Sequence, residues 1–215
     1  MQKIENSGAT SALKSQQVFC KKVDEKILVV NKNILFAYQV INGLKPIDFT
    51  QYQKLIQKHK KFLWRSKVEQ DPTYKQIIPY LIFTYDNKFF IMRRKSNASE
   101  VRLQNKFSLG IGGHIRKEDI KRANIIGWAE REFEEEVKYS GSYAIKPLGI
   151  LNDESDAVGQ VHTGFVFLLE GTSNDIDIRD EHKEGMLVTF EECMAMYGQM
   201  ESWSKIVLKY LKDKR

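Results

Sequence analysis

Residues 129–137 read AEREFEEEV, five glutamates within nine residues of a chain whose net charge is +6. At about 100° per residue, Glu132, Glu135 and Glu136 fall at i, i+3 and i+4 on one helix face. Ile126, Ala129, Phe133 and Val137 form the adjoining apolar stripe, while Glu130 and Glu134 lie on the far side. Like charges at these spacings each cost a helix roughly 0.2–0.5 kcal/mol. Arg131 can offset part of this through Glu134 and Glu135, but not the whole cluster. An oxygen-rich face next to a buried stripe is either a solvated acidic surface or a site for a hard cation. Mg²⁺ is usually held by a few carboxylates together with phosphates and water.

What precedes the helix weighs toward the cation. FSLGIGGHI, residues 107–115, is an apolar strand running into Gly112 and Gly113, where backbone can turn tightly and approach a ligand closely. A helix is expected from about Ile120 to Tyr139. Upstream, IIPYLIFTY and KFFIM flank Asp86-Asn87 as a hairpin whose second strand ends in Arg93-Arg94-Lys95. Arg93 or Arg94 is placed to clamp a diphosphate, or is a plain solubility charge.

Further out, KILVV and ILFAY around Asn31–Asn33 read as two strands and a turn. Tyr52, Leu55, Ile56, His59, Phe62 and Leu63 mark an amphipathic helix capped by Asp48 or Thr50. Downstream, AIKPLGIL and QVHTGFVFLLE read as strands around the acidic loop NDESDAVG. Thr189 and Glu192 form a capping box, and Trp203, Val207 and Leu211 mark a last helix. Strands and helices alternate without a strict βαβ rhythm, so the fold class is α/β with a mixed sheet covered by helices. His162 reads as a core histidine of its strand, and His114 is given no chemistry.

With 42% hydrophobic and 29% charged residues the composition is that of a globular protein. The apolar runs are far shorter than the ~20 residues a bilayer requires, and residues 1–17 lack the apolar core of a secretory signal. No membrane association and a reducing cytoplasm are the expectation, the latter because Cys20 and Cys193 have no partner spacing. Charge is asymmetric: up to Ile126 there are 24 Lys+Arg against 10 Asp+Glu, and from Gly127 onward 10 against 18. Such a division suits nucleic-acid binding, or a site that holds phosphate with one part and metal with the other.

Gly113, Arg131, Glu132, Phe133, Glu135, Glu136 and Tyr139 together resemble the signature of the Nudix (MutT-like) hydrolases. SLGIGGHI, REFEEEV, GILNDES and VGQVHTG resemble a bacterial branch described as MutT-type phosphoesterases. The resemblance implies an α/β/α sandwich with a signature loop and helix. It divides the chain into a tail at 1–18, an N-terminal extension at 19–70 packed on the main domain, and a hydrolase domain at 71–215. It further implies Mg²⁺-dependent cleavage, with Mn²⁺ as substitute, of a diphosphate linkage in a nucleoside diphosphate derivative. Glu132, Glu135 and Glu136 would be metal ligands and Arg131 their orienting partner. Glu132, Glu181 and Glu184 are the candidates for general base, and Arg93, Arg94, Gly112 and Gly113 for substrate contacts.

Three departures from the signature stand out. Its upstream glutamate is replaced by Asp119, or by Glu118. Eleven residues instead of seven separate Asp119 from Arg131, and Lys138 stands where the signature has glycine. The alternatives are a non-catalytic regulator binding nucleotide or RNA, and an isopentenyl-diphosphate isomerase, which needs a reactive cysteine. RNA as a partner stays open but is not favoured over a small nucleotide, and a homodimer is expected by family analogy.

Overall fold

The computed structural model describes residues 24–94, 106–121, 124–180 and 183–215; the expected tail, Cys20 and Glu181 lie outside them. The chain opens with Lys26–Asn31 (β1), Lys32–Leu35 (α1), Gly43–Lys45 (β2), Phe49–His59 (α2), Lys61–Trp64 (β3) and Arg65–Val68 (α3). It continues through Tyr74–Tyr85 (β4), Lys88–Arg94 (β5), Phe107–Ser108 (β6) and Ile111–Gly112 (β7). A 3₁₀ segment at Lys117–Lys121 leads to Ile125–Glu136 (α4), Val137–Tyr139 (β8) and Tyr143–Asn152 (β9). Ala157–Val161 (α5), His162–Gly171 (β10), Ile176–Ile178 (β11), Lys183–Val188 (β12), Phe190–Ala195 (α6) and Ser202–Lys212 (α7) complete it.

The main sheet runs β12-β5-β4-β10-β9-β2, with β1 and β7 on β4, β3 on β1, and β6 on β5. β4 and β10 are parallel, in register from His162 opposite Gln76 to Glu170 opposite Thr84, while their other neighbours are antiparallel. The sheet is therefore mixed, as expected. β4 is buried from Lys75 to Phe83 because helices cover both faces, so it reads as a continuous apolar run without alternation. Its side chains still divide by pleat: Leu81 and Phe83 join one core with Tyr52, Ile56, Trp128 and Phe133, from α2 and α4. Tyr80 and Ile82 join another with Cys193, Val207 and Leu208, from α6 and α7. Two helix layers around one sheet make the α/β/α sandwich.

The Asp86-Asn87 turn closes the β4–β5 hairpin with φ of 47° and 59°, the left-handed geometry of a tight two-residue connection. The capping box at Thr189 and Glu192 is present. The N-terminal segment departs from expectation. ILFAY is not a strand: Asn31 accepts from the backbone of Asn33 and caps α1, so the chain leaves β1 as a helical turn. The following helix is capped by Asp48 and ends at His59, which puts Phe62 and Leu63 on β3. Neither change detaches this segment, since β1 pairs with β4 and α2 packs into the shared core. The glutamate helix starts at Ile125, where Asn124 accepts from Gly127 N, and ends at Glu136 instead of Tyr139.

Candidate active site

α4 lies across β4 and β7 with Ile125, Trp128, Ala129 and Phe133 buried, and Phe133 stacks on Phe83 at 5.8 Å and 17°. That packing turns Arg131 and Glu132 inward, so both charged side chains are buried, 8% and 6% exposed. Burial of a charge is tolerated only with partners. Arg131 Nη2 lies 3.2 Å from Glu132 Oε2 and 3.2 Å from Asp119 Oδ2, and donates to the His114 carbonyl at 3.2 Å. Its Nη1 pairs with Glu135, while its Nε is buried and has no partner among the described residues.

The glycine pair has a steric reason. A Cβ on Gly113 would sit 2.0 Å from Glu132 Oε1, and one on Gly112 would sit 2.6 Å from the Pro79 carbonyl. Glu132 is thus pressed against bare backbone at the end of β7. The loop is anchored from the other layer by Tyr80, whose Oη accepts from Gly110 N at 3.1 Å and bonds Ser204 Oγ at 3.0 Å.

Each of the other two carboxylates on this face meets a cation that no local pattern in the sequence marks. Arg116 Nη2 donates to both oxygens of Glu135 at 3.1 Å. Lys183 Nζ, at the start of β12, donates to Glu136 Oε2 at 2.8 Å. The last turn of α4 is closed by Arg179, which donates from Nε to the carbonyls of Glu134 and Val137 and from N to Glu136. A guanidinium at this end also meets the negative pole of the helix.

The donor set suits a hard cation. Burial lifts the Glu132 carboxyl to about 7; Arg131 pulls it down, but Glu136 and Glu135 push it up again. Glu132, Glu135 and Glu136 nevertheless place three oxygen donors on one helix face, the ligand type that a hard divalent ion takes. The three carboxylates are not drawn to within 4.8 Å of one another: Arg131 holds Glu132 and shares Glu135 with Arg116, and Lys183 holds Glu136.

Two of the sequence's departures acquire reasons. Of the two upstream carboxylates, Asp119 is the one that joins the Arg131 network: its side chain is nearly buried, accepts from Arg116 N at 2.7 Å and contacts Arg131, whereas Glu118 is exposed. Lys138 replaces glycine because no left-handed turn follows the helix. Val137 caps it at φ −128° and ψ 155°, and the chain passes directly into β8, with Lys138 opposite Asp177.

Glu184 and Arg93 are not brought to the glutamate face. They sit opposite each other on β12 and β5 and pair at 3.5 Å, Arg93 lying 5.6 Å over the Phe107 ring. Successive side chains on a strand point to opposite faces, so with Lys183 reaching Glu136, Glu184 is turned away from it. The Arg94 backbone pairs with Lys183, and its side chain lies outside the described residues. Cys193 is fully buried in α6 and burial lifts its thiol to about 11, so it is no reactive cysteine; Cys20 is not described. His162 is buried, as read from the sequence, and burial lowers its pKa.

No protein-family model matches the chain. Protein YmaB of Bacillus subtilis (strain 168) is 28% identical over 207 residues, which covers 88% of this chain and 98% of that protein. The crystal structure of Tm1382, described as a candidate Nudix hydrolase, is 30% identical with a TM-score of 0.77. It covers 89% of this chain, which spans all of it. DR0079 from Deinococcus radiodurans shares the fold at 14% identity and TM-score 0.53, over 86% of this chain and 98% of that one. So does the Nudix domain of Shewanella oneidensis NrtR, solved with ADP ribose, at 13% identity and TM-score 0.50, over 65% of this chain and 88% of that one.

Proposed function

The chain belongs to the Nudix hydrolase family, and from that premise we propose that it is a Mg²⁺-dependent hydrolase of a diphosphate linkage in a nucleoside diphosphate derivative. The observation that carries the reading is the buried Arg131–Glu132 pair against Gly113, with Glu135 and Glu136 on the same helix face. Glu132 and Glu136 would hold the ion, with Glu135 as the third carboxylate. Bound there, Mg²⁺ or Mn²⁺ would offset charge on the phosphoryl oxygens and acidify water.

The chain's own residues supply orientation. Arg131 ties Glu132 and Glu135 to one guanidinium, and Asp119 holds that guanidinium from behind. At Gly112 and Gly113 the space a side chain would take is filled by the Pro79 carbonyl and the Glu132 carboxylate, so the pair would serve to seat Glu132, and a phosphate contact there would fall to backbone N–H groups. Lys183 neutralises Glu136 and would be released to a phosphate oxygen once that carboxylate turns to a cation. Of the base candidates, Glu132 is the one supported by position, since Glu184 faces the other side of the sheet.

Among the described residues no helix is long and apolar enough to cross a membrane. A small soluble nucleotide, a cytoplasmic location and a homodimer complete the reading. ADP ribose, bound by the Shewanella oneidensis Nudix domain, is a sensible first compound.

The test is a panel of nucleoside diphosphate derivatives with Mg²⁺ or Mn²⁺, comparing wild type with Glu136→Gln. Cleavage by wild type with a loss on the order of 100-fold in the variant is expected. Absence of any cleavage, or an unaffected variant, would overturn the reading. Salt-dependent binding of oligonucleotides without a diphosphate linkage would favour the RNA alternative instead.

A further inference from the structure

A second group of ligand side chains is distinct from the three glutamates and is linked to them through the His114 carbonyl, which accepts from Arg131. Glu69, just past α3, His114, after the glycine pair, and His162, first residue of β10, bring one carboxylate oxygen and two imidazole nitrogens within 4.8 Å of one another. The two Nε2 atoms are 3.2 Å apart. Two nitrogens on a tetrahedral ion with bonds of ~2.0–2.1 Å would be ~3.3 Å apart. His162 Nδ1 faces the Val158 carbonyl at 2.8 Å, which places its proton there and leaves Nε2 with a lone pair. Arg65 Nε holds Glu69 Oε1 at 3.0 Å, and His114 Nε2, which donates to Gln76 Oε1 at 2.8 Å, would give up that proton to an ion. His162 is buried, whereas His114 and Glu69 are partly open, so an ion has a way in.

We propose that Glu69, His114 and His162 form a binding site for a borderline transition-metal dication such as Zn²⁺, distinct from the carboxylate face. Three protein ligands of the His₂Glu type leave a fourth position, for water or Gln76. Imidazole selects Zn²⁺, Co²⁺ or Ni²⁺ over Mg²⁺, so the two sites divide metals by ligand chemistry. The site stands on its own geometry and does not depend on the hydrolase reading.

The test is titration of the chelator-treated full-length chain with Co²⁺ in excess Mg²⁺, followed by visible absorption. Four-coordinate Co²⁺ gives intense d–d bands that an octahedral oxygen site does not. Wild type and Glu136→Gln should both develop these bands at a stoichiometry of about one ion per chain. His114→Asn and His162→Gln should lose them, and Glu69→Gln should weaken binding on the order of tenfold or more. Should His162→Gln fail to fold by circular dichroism, the partly exposed His114 and Glu69 variants decide. Absence of the bands in wild type, their loss in Glu136→Gln, or their persistence in the histidine variants would overturn the proposal.

Discussion

Arg131 Nη2 and Asp119 Oδ2 lie 3.2 Å apart, although eleven residues separate them in the chain. The Lys117–Lys121 turn makes this contact, and Trp128 Nε1 fastens it by donating to the Asp119 carbonyl at 3.2 Å. Asp119→Asn should therefore loosen the guanidinium that aims Glu132 and Glu135. Activity is expected to drop about 10- to 100-fold, as for other groups that orient metal ligands, while exposed Glu118→Gln stays near wild type. Steady-state rates of the two variants check this, and equal rates would reject the assignment.

At Gly113 a methyl group would meet the Glu132 carboxylate, the far end of a flexible side chain. The carboxylate can swing aside, so Gly113→Ala should fold with a melting temperature close to wild type. The displaced ligand should nevertheless lower kcat on the order of 100-fold, the scale of a misplacement of about 1 Å. Melting and turnover measured on one preparation distinguish this from general destabilisation.

Neighbouring residues of β12 should respond differently. Glu184→Gln breaks only an exposed pair on the opposite face, so turnover and stability should hold, the latter within about 0.5 kcal/mol. Lys183→Ala removes the ammonium that occupies Glu136. The half-saturating Mg²⁺ concentration should then fall on the order of 2- to 5-fold. Magnesium titrations of both variants provide the measurement; a rise for Lys183→Ala would contradict the competition.

Away from the site, fully buried Lys75 pairs with Glu154 Oε1 at 3.0 Å, and Lys32 holds the other oxygen at 2.6 Å. Burial raises the Glu154 carboxyl, but the hydrogen bonds from Lys32 and Lys75 outweigh it and hold it at about 2, against 4.5 unperturbed. Because the folded pKa is depressed, this stabilisation is complete above pH 4.5 and is lost as pH falls toward 2. Glu154→Gln should cost about 1–2 kcal/mol near neutral pH, since buried Lys75 loses its countercharge but Glu154 itself is a third exposed and screened by solvent. It should also flatten the acid limb of stability against pH, read from denaturant midpoints; an unchanged limb would refute this.

The face of Glu132, Glu135 and Glu136, the β4–β5 hairpin and the capping box at Thr189 were legible because each rests on neighbours within a few residues. Helical spacing, a two-residue left-handed turn and a side chain capping its own helix are local physics, and local physics is written in sequence. Errors fell where a short apolar segment had two outlets. ILFAY reads as a strand, but the Asn31 cap draws Ile34 and Leu35 into α1 and the chain turns after them, and Phe62 and Leu63 kept a helical period after the helix had ended.

What the sequence determined by itself was the α/β class, the glutamate face and the glycine pair before it. Only the tertiary structure decided which charges meet. Arg116 with Glu135, Lys183 with Glu136, Arg93 with Glu184, and the grouping of Glu69, His114 and His162 all join residues 19 to 93 positions apart. Such pairings depend on strand order and pleat in a mixed sheet, where one residue of register exchanges the two faces. No spacing within a single element carries that information.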